Sequence, residues 1–110
     1  MTTNLSAKGT DVSAELSAID PQKATLSGRL DRLTGKKLLQ QGRRLIAQSA
    51  SQWQVDLANV HHSSSVGIAL LLDWKRYGMD KNVSVEFLNV PQKMQDVIEF
   101  SGLKEVFKLN

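Results

Sequence analysis

Residues 55–72 read VDLANVHHSSSVGIALLL, and they join the two patterns that decide the fold. The first part continues an alternation of apolar and polar side chains that begins at Trp53, as a half-buried β-strand requires. The second part is an aliphatic run that follows three serines, and serine is a favoured helix N-cap residue. We therefore predict a strand followed by a helix from about Ser65 to Tyr77.

The chain before this stretch predicts a β-hairpin and an amphipathic helix. Small or apolar residues lie at alternate positions 12–18 and again at 24–30, and Asp20-Pro21 marks the turn between them. Thr34 is the predicted N-cap of the helix, whose apolar stripe contains Leu38, Leu39, Leu45 and Ile46. We expect Gly42 to let this helix pack closely on a sheet. Residues 1–10 show no periodicity, and we expect a flexible tail there.

The chain after this stretch predicts one more strand and one more helix. Gly78 is expected to end the preceding helix, and residues 83–88 alternate as a strand does. Pro91 suits the first turn of a third helix, which Gly102 ends. We expect Leu103 to fold back over that helix. The inward-facing residues of this third helix are predicted to be Met94, Val97, Ile98 and Ser101. Val106 and Phe107 are expected to close the core.

These elements follow the order β-β-α-β-α-β-α, which defines the fold class. The later strands are joined through helices, and right-handed crossovers would place those helices against one shared sheet. We predict an α/β fold with a mixed β-sheet, an N-terminal hairpin and helices packed on the sheet. A chain of 110 residues is about the size of one domain, and we assign residues 11–110 to it.

The composition favours a reducing compartment and gives no membrane span. Cysteine is absent, so neither a disulfide framework nor a thiolate zinc site is available. The longest apolar stretch, residues 66–72, is far shorter than the roughly 20 residues that cross a bilayer. The start of the chain is polar and does not resemble a secretory signal. We expect a cytoplasmic protein without direct transmembrane insertion, which reaches a membrane only through a partner.

Basic residues are concentrated in one part of the chain. The formal charge is +3, from 14 basic and 11 acidic residues. Between positions 29 and 44 only Asp31 opposes six cations, which are Arg29, Arg32, Lys36, Lys37, Arg43 and Arg44. Such a face could meet an acidic protein surface or anionic lipid head groups, or it could be a solvated helix face. No nucleic-acid recognition motif accompanies it, and we expect no nucleic-acid partner.

The histidines and serines at 61–65 contain the residue types of several chemistries without their spacing. A serine hydrolase would need a motif such as G-x-S-x-G, and the first glycine is missing before Ser65. The adjacent His61 and His62 do not face one metal ion as an i, i+4 pair does. No glycine-rich phosphate loop occurs either. We therefore predict no catalytic residue, no metal and no cofactor.

The remaining interpretation of the serines is a helix N-terminus, where they either serve only as caps or also form part of a recognition surface. Ser63 or Ser64 can cap the first free N–H groups, and Ser65 lies at the positive end of the helix dipole. The aliphatic residues after them point in nearly every direction around the helix, so their apolar surface is larger than one sheet-facing stripe requires. Part of this surface could serve for docking, or neighbouring helices could cover it. The predicted docking edge contains Ser63, Ser64, Ser65, Val66 and Gly67, with Ile68, Ala69 and Leu72 as apolar contacts.

The pattern resembles the STAS domain family, named for sulfate transporters and anti-sigma factor antagonists. In that family a strand ending in D-L-S precedes D-[ST]-[ST]-G at the start of an aliphatic helix. The matching residues here are Asp56-Leu57-Ala58 and Ser64-Ser65-Val66-Gly67, so Ser64 replaces the family's aspartate. Ser101-Gly102-Leu103 and Val106-Phe107 resemble the family's final segment, and the likeness spans about residues 12–109.

Within the family, the chain is most similar to the STAS subunit of Mla-type phospholipid ABC transporters of Gram-negative bacteria. The similar segments are the strand end DLANV and the helix start VGIALLLDW. The resemblance implies a cytoplasmic, non-enzymatic subunit that binds the transporter's ATPase, and through it the permease at the inner membrane. It would thereby support outer-membrane lipid asymmetry, with Ser65 at the ATPase contact. The alternative that the family implies is an anti-sigma factor antagonist that is regulated by phosphorylation of Ser65.

Overall fold

The computed structural model describes residues 14–107 of the chain. The predicted tail at residues 1–10, and the predicted start of the domain at residue 11, lie outside these described residues. No helix within residues 14–107 has both the length and the apolar character to cross a membrane.

A four-stranded mixed sheet forms the centre of the fold. Its strands are β1 (Ala14–Asp20), β2 (Lys23–Leu30), β3 (Gln52–Ser63) and β4 (Ser84–Leu88), and they lie in sequence order across the sheet. β1 and β2 form the predicted antiparallel hairpin, with Leu16 opposite Leu26. β3 is parallel to both of its neighbours, with Val55 opposite Ala24 of β2 and Phe87 of β4. The predicted α/β class and mixed sheet are confirmed.

Within residues 14–107, four helices accompany the strands. They are α1 (Arg32–Gln48), α2 (Ser65–Asp80), α3 (Gln92–Phe100) and the short α4 (Lys104–Phe107). Because α1 joins β2 to β3 and α2 joins β3 to β4, both parallel connections are helical crossovers, as predicted.

The N-terminus of α1 corrects one expectation. Asp31, not Thr34, is the N-cap, and its side chain accepts a hydrogen bond from the N–H of Leu33 at 2.9 Å. Thr34 lies three positions later and accepts from the N–H of Asp31 at 3.2 Å, which completes a capping box. Aspartate and threonine are both favoured N-cap residues, so residue type alone does not separate Asp31 from Thr34.

The end of α2 corrects a second expectation. Gly78 does not end the helix, which continues to Asp80. Gly78 instead lies buried where a Cβ would meet Val85 of β4 at 2.5 Å. The left-handed residue that follows the helix is Asn82, with φ of 60°, and asparagine tolerates this conformation better than most residues.

α3 and the segment after it follow the prediction only in part. Met94 and Ile98 are buried as expected, whereas Val97 is 44% exposed and Ser101 lies on the surface. Gly102 has φ of +75° after the helix, as a C-terminal glycine does. Leu103 is half-buried and packs against the core. Phe107 enters the core, but Val106 is 40% exposed and does not.

One face of the sheet carries the core. Ala24, Leu26, Val55 and Leu57 alternate along β2 and β3 and are fully buried beneath the helices. The opposite face is polar, and there Gln54 donates a hydrogen bond to Glu86 of β4 at 2.9 Å. Within residues 14–107, the helices therefore pack on one side of the sheet, and the other side is polar.

The two helices over the centre of the sheet approach each other at Gly42. A Cβ on Gly42 of α1 would lie 2.1 Å from ring atoms of Trp74 on α2, so only glycine fits there. The sequence correctly indicated a close approach at this position, but the partner is a neighbouring helix and not the sheet. Trp74 is fully buried, its Nε1 donates to the carbonyl of Leu39 at 3.2 Å, and its ring meets Trp53 edge to face.

Candidate functional site

The candidate site lies where β2 and β3 end and α2 begins. β3 is longer than its alternating pattern indicated, because it includes both histidines and ends at Ser63. His62 lies opposite Arg29 in the register with β2, and Ser63 lies opposite Leu30. A single residue, Ser64, separates the strand from α2, so the serines leave the sheet directly at a helix N-terminus.

Ser64 is the N-cap of α2. Its Oγ accepts a hydrogen bond from the N–H of Val66 at 3.2 Å and donates one to the carbonyl of Leu30 at 3.3 Å. The N–H of Ser64 donates to the same carbonyl at 2.9 Å. Of the two serines expected to serve as the cap, the structure selects Ser64, and it fixes that residue to the end of β2 through two hydrogen bonds.

Ser65 is the first residue of α2, and it is exposed. Its hydroxyl takes part in none of the hydrogen bonds formed among residues 14–107. Ser63 differs, because it is half-buried and its Oγ donates to the carbonyl of Ser64 at 3.1 Å. The three serines therefore have separate structural positions, and Ser65 presents a hydroxyl to solvent.

Val66 and Gly67 pack the start of α2 against the rest of the fold. Val66 is half-buried against the first turn of α1, where a Cβ on Gly35 would lie 2.9 Å from it. Gly67 is buried, and a Cβ there would lie 2.1 Å from the Oγ of Ser63 and 3.2 Å from the Cβ of Leu30. The absence of a side chain at Gly67 lets the end of β3 pack against α2.

We expect Gly67→Ala to be energetically coupled to Ser63. In the wild-type background the new methyl group must displace the Ser63 hydroxyl and break its bond to the Ser64 carbonyl. In a Ser63→Ala background that clash is absent, so the change at Gly67 should cost about 1 kcal/mol less. Urea unfolding of the two single variants and the double variant measures this difference. Additive effects of the two changes would contradict the contact.

The three predicted apolar contacts differ in exposure. Ile68 is 8% exposed, Ala69 is exposed and Leu72 is half-buried against the core. Leu71 is fully buried, so neighbouring elements cover that part of the aliphatic run. The surface available next to the serines is therefore narrower than the run of residues 66–72.

A cleft of about 520 Å³ opens beside the serines, between the end of β3, the start of α2 and α3. Ser63, Ser64, Ser65 and Ile68 line it on one side. The other residues that line the cleft are Val60, His61, His62, Pro91, Gln92, Lys93, Met94 and Val97. The contribution of α3 was not predicted from the sequence, since residues 91–97 are remote in sequence and only the sheet topology brings them to this edge.

His61 and His62 lie near the end of β3. Both are exposed, and within residues 14–107 neither one forms a hydrogen bond to a serine hydroxyl. In the same part of the chain, no three His, Cys, Asp or Glu side chains gather as metal ligands. The two histidines therefore form part of the wall of the cleft.

The basic region divides into paired and unpaired cations. Arg43 donates from Nε to Asp73 of α2 at 2.9 Å, and the hydrogen bonds to Asp73 raise the pKa of Arg43, which desolvation partly opposes. Arg29 lies 3.7 Å from Asp31. The other four cations of this region, Arg32, Lys36, Lys37 and Arg44, are exposed and form no ion pair within residues 14–107. They lie on α1, and none of them lines the cleft.

Comparison with known families identifies the class of protein. Residues 17–109 match the family model described as "Mlab, STAS domain". The chain therefore belongs to the STAS domain family, and the family expected from the sequence is confirmed. STAS domains mediate protein–protein interactions, and they are typically non-enzymatic binding or regulatory domains.

Solved structures similar to this chain share its fold. The anti-sigma factor antagonist SpoIIAA in its unphosphorylated form has a TM-score of 0.67 at 19% identity, covering 84% of this chain and 83% of its own. The phosphorylated form, described as a Bacillus cell fate determinant, has a TM-score of 0.64 at 21% identity, with coverages of 84% and 86%.

A third similar structure is an anti-sigma factor antagonist from Mycobacterium paratuberculosis. Its TM-score is 0.68 at 23% identity, covering 86% of this chain and 80% of its own. At these identities the likeness shows the fold alone. The search of curated proteins gave no match.

Proposed function

We propose that this protein is a non-enzymatic accessory subunit of an Mla-type phospholipid ABC transporter. It binds the cytoplasmic ATPase subunit, stabilises its productive assembly, and reaches the inner membrane through that ATPase and the permease. The family description that matches residues 17–109 supports the transporter branch. The observation that carries the proposal is the exposed Ser65 hydroxyl at the edge of a cleft.

The geometry of the edge suits protein docking. Protein interfaces concentrate binding energy where one partner's side chain fills a pocket and polar groups surround it. Here Val60, Ile68 and Met94 supply apolar surface within the cleft, and the three serines lie at its rim. The Ser65 hydroxyl has no partner within residues 14–107, so it can donate to or accept from an incoming protein.

A phosphorylation switch is the second candidate function. In this alternative the protein is an anti-sigma factor antagonist. A kinase binds the protein, phosphorylates Ser65 and then releases the phosphorylated protein. Similar folds have been solved as a phosphorylated and an unphosphorylated SpoIIAA, which is the observation that favours this candidate. Ser65 is exposed at a helix N-terminus, where added negative charge is tolerated.

Mixing the purified chain with the ATPase subunit of the Mla-type transporter from the same organism tests the proposal. We expect the two proteins to elute together from a sizing column, and we expect the ATPase to stay assembled at concentrations where it dissociates alone. Separate elution at micromolar concentrations, with both proteins folded by circular dichroism, would contradict the proposal. Stoichiometric phosphate on Ser65 after incubation with candidate kinases and ATP, found by mass spectrometry, would favour the switch instead.

A further inference from the structure

α3 carries two exposed apolar side chains that the core does not use. Phe100 is 93% exposed and Val97 is 44% exposed, although Met94 and Ile98 on the same helix are almost completely buried. Positions 93, 97 and 100 are spaced by four and three residues, so they lie on one face of a helix. Lys93, Val97 and Phe100 therefore form a stripe beside the buried face, which we call the α3 stripe.

The α3 stripe is continuous with the cleft at the serines. Lys93 and Val97 both line that cleft, together with Ser65 and Ile68. Phe100 lies one helical turn beyond Val97 on the same face of α3, since three residues make nearly a turn. An isolated exposed aromatic residue needs no explanation, but an apolar stripe that extends a polar-rimmed cleft is typical of an interaction surface.

The charges beside the stripe indicate the chemistry of what covers it. Of the described residues 14–107, the charged or titratable ones that line the cleft are Lys93, His61 and His62, and none is a carboxylate. The two acidic residues of α3, Asp96 and Glu99, lie next to Val97 and Phe100 in sequence, but neither lines the cleft. Asp96 accepts a hydrogen bond from Gln92 at 2.9 Å. A partner that places a carboxylate at Lys93 would complement this rim.

We infer that the ATPase-binding surface extends from Ser65 across the cleft to Phe100, and that an amphipathic helix of the ATPase occupies it. The apolar ridge of that helix covers Val97 and Phe100, and an acidic residue beside the ridge pairs with Lys93. An amphipathic helix suits a groove of this kind because its side chains at i, i+3 and i+4 reach successive turns of the surface. This inference rests on the proposed function.

Phe100→Ala is the test, with Met79→Ala as the matched control. Met79 is also a large apolar residue, 72% exposed, but it lies in the last turn of α2, at the opposite end of that helix from Ser65. We expect Phe100→Ala to weaken binding of the purified ATPase by about tenfold or more, measured by calorimetry, because truncated aromatic anchors have effects of that size. Met79→Ala should bind as the wild type does.

Lys93→Gln provides the test of charge. It should weaken binding at low salt and reduce the dependence of the affinity on salt concentration, because one attractive ion pair is lost. Equal salt dependence of this variant and the wild type would overturn the assignment of an acidic partner residue.

The inference and the proposed function fail in different ways. If Phe100→Ala binds the ATPase as tightly as the wild type, while Ser65→Glu does not bind, the extended surface is wrong and the docking role stands. If the wild-type chain itself does not bind the ATPase, the proposed function is wrong and the inference is overturned with it. Melting curves of each variant are the control for folding, and we expect Phe100→Ala to leave the melting temperature unchanged because Phe100 is 93% exposed.

Discussion

A Ser65→Glu variant is expected to bind the ATPase at least about 30-fold more weakly than the wild-type chain, a loss of roughly 2 kcal/mol. The reason is that the glutamate would carry an unpaired charge into a contact that accepts a small neutral hydroxyl. The fold itself should tolerate the change, because residue 65 is exposed at the first position of α2. An acidic group there interacts favourably with the helix dipole, by about 0.3–1 kcal/mol.

The measurement therefore has two parts, binding and stability. Calorimetric titration gives the affinity for the ATPase, and thermal unfolding should give a melting temperature equal to or slightly above that of the wild type. Ser84→Glu is the matched control, because Ser84 is an exposed serine at the first residue of β4, the opposite end of the parallel strands. A folded Ser65→Glu variant that binds as tightly as Ser84→Glu would show that Ser65 lies outside the contact.

Trp74→Ala is expected to lower the free energy of unfolding by about 3–5 kcal/mol. Trp74 is fully buried between α1 and the sheet, and its ring lies 5.5 Å from that of Trp53. Truncation removes this contact, opens a cavity above Gly42, and leaves the Leu39 carbonyl without its indole donor. Since small domains are stable by only about 5–15 kcal/mol, this is a large fraction of the total.

Urea unfolding followed by far-ultraviolet circular dichroism measures this loss, because tryptophan fluorescence would change with the substitution itself. Leu33→Ala is the control, since Leu33 is 79% exposed on α1 and should change stability by less than about 0.5 kcal/mol. A loss below about 1 kcal/mol for Trp74→Ala would mean that the helices pack differently from the contact described here.

The sequence predicted the parts of the fold that depend on local pattern. Alternation identified all four strands, and the serines before an aliphatic run identified the start of α2. The same run correctly placed an exposed Ser65 at a helix N-terminus. These features depend on residues that are near one another in the chain, so their periodicity and capping chemistry are visible without tertiary information.

The parts that the sequence did not predict depend on contacts between remote elements. The packing of Gly78 against β4 made it a buried helical residue, although glycine commonly ends a helix. Val97 fits the helical period of the core stripe, but it lies at the border of that stripe and faces the cleft. The sequence does not show that α3 lines the cleft beside the serines, because only the sheet topology brings α3 and the serines together.

The carbonyl of Leu30 accepts hydrogen bonds from both the N–H and the hydroxyl of Ser64. These two hydrogen bonds join the end of β2 to the start of α2, so the proposed docking edge is ordered in the chain by itself. Binding should therefore cost little ordering entropy in this protein, and we expect the two partners to associate as rigid bodies. The expected rate constant is of the ordinary size for such encounters, about 10⁵–10⁷ M⁻¹s⁻¹, with affinity among variants set mainly by how slowly the complex separates.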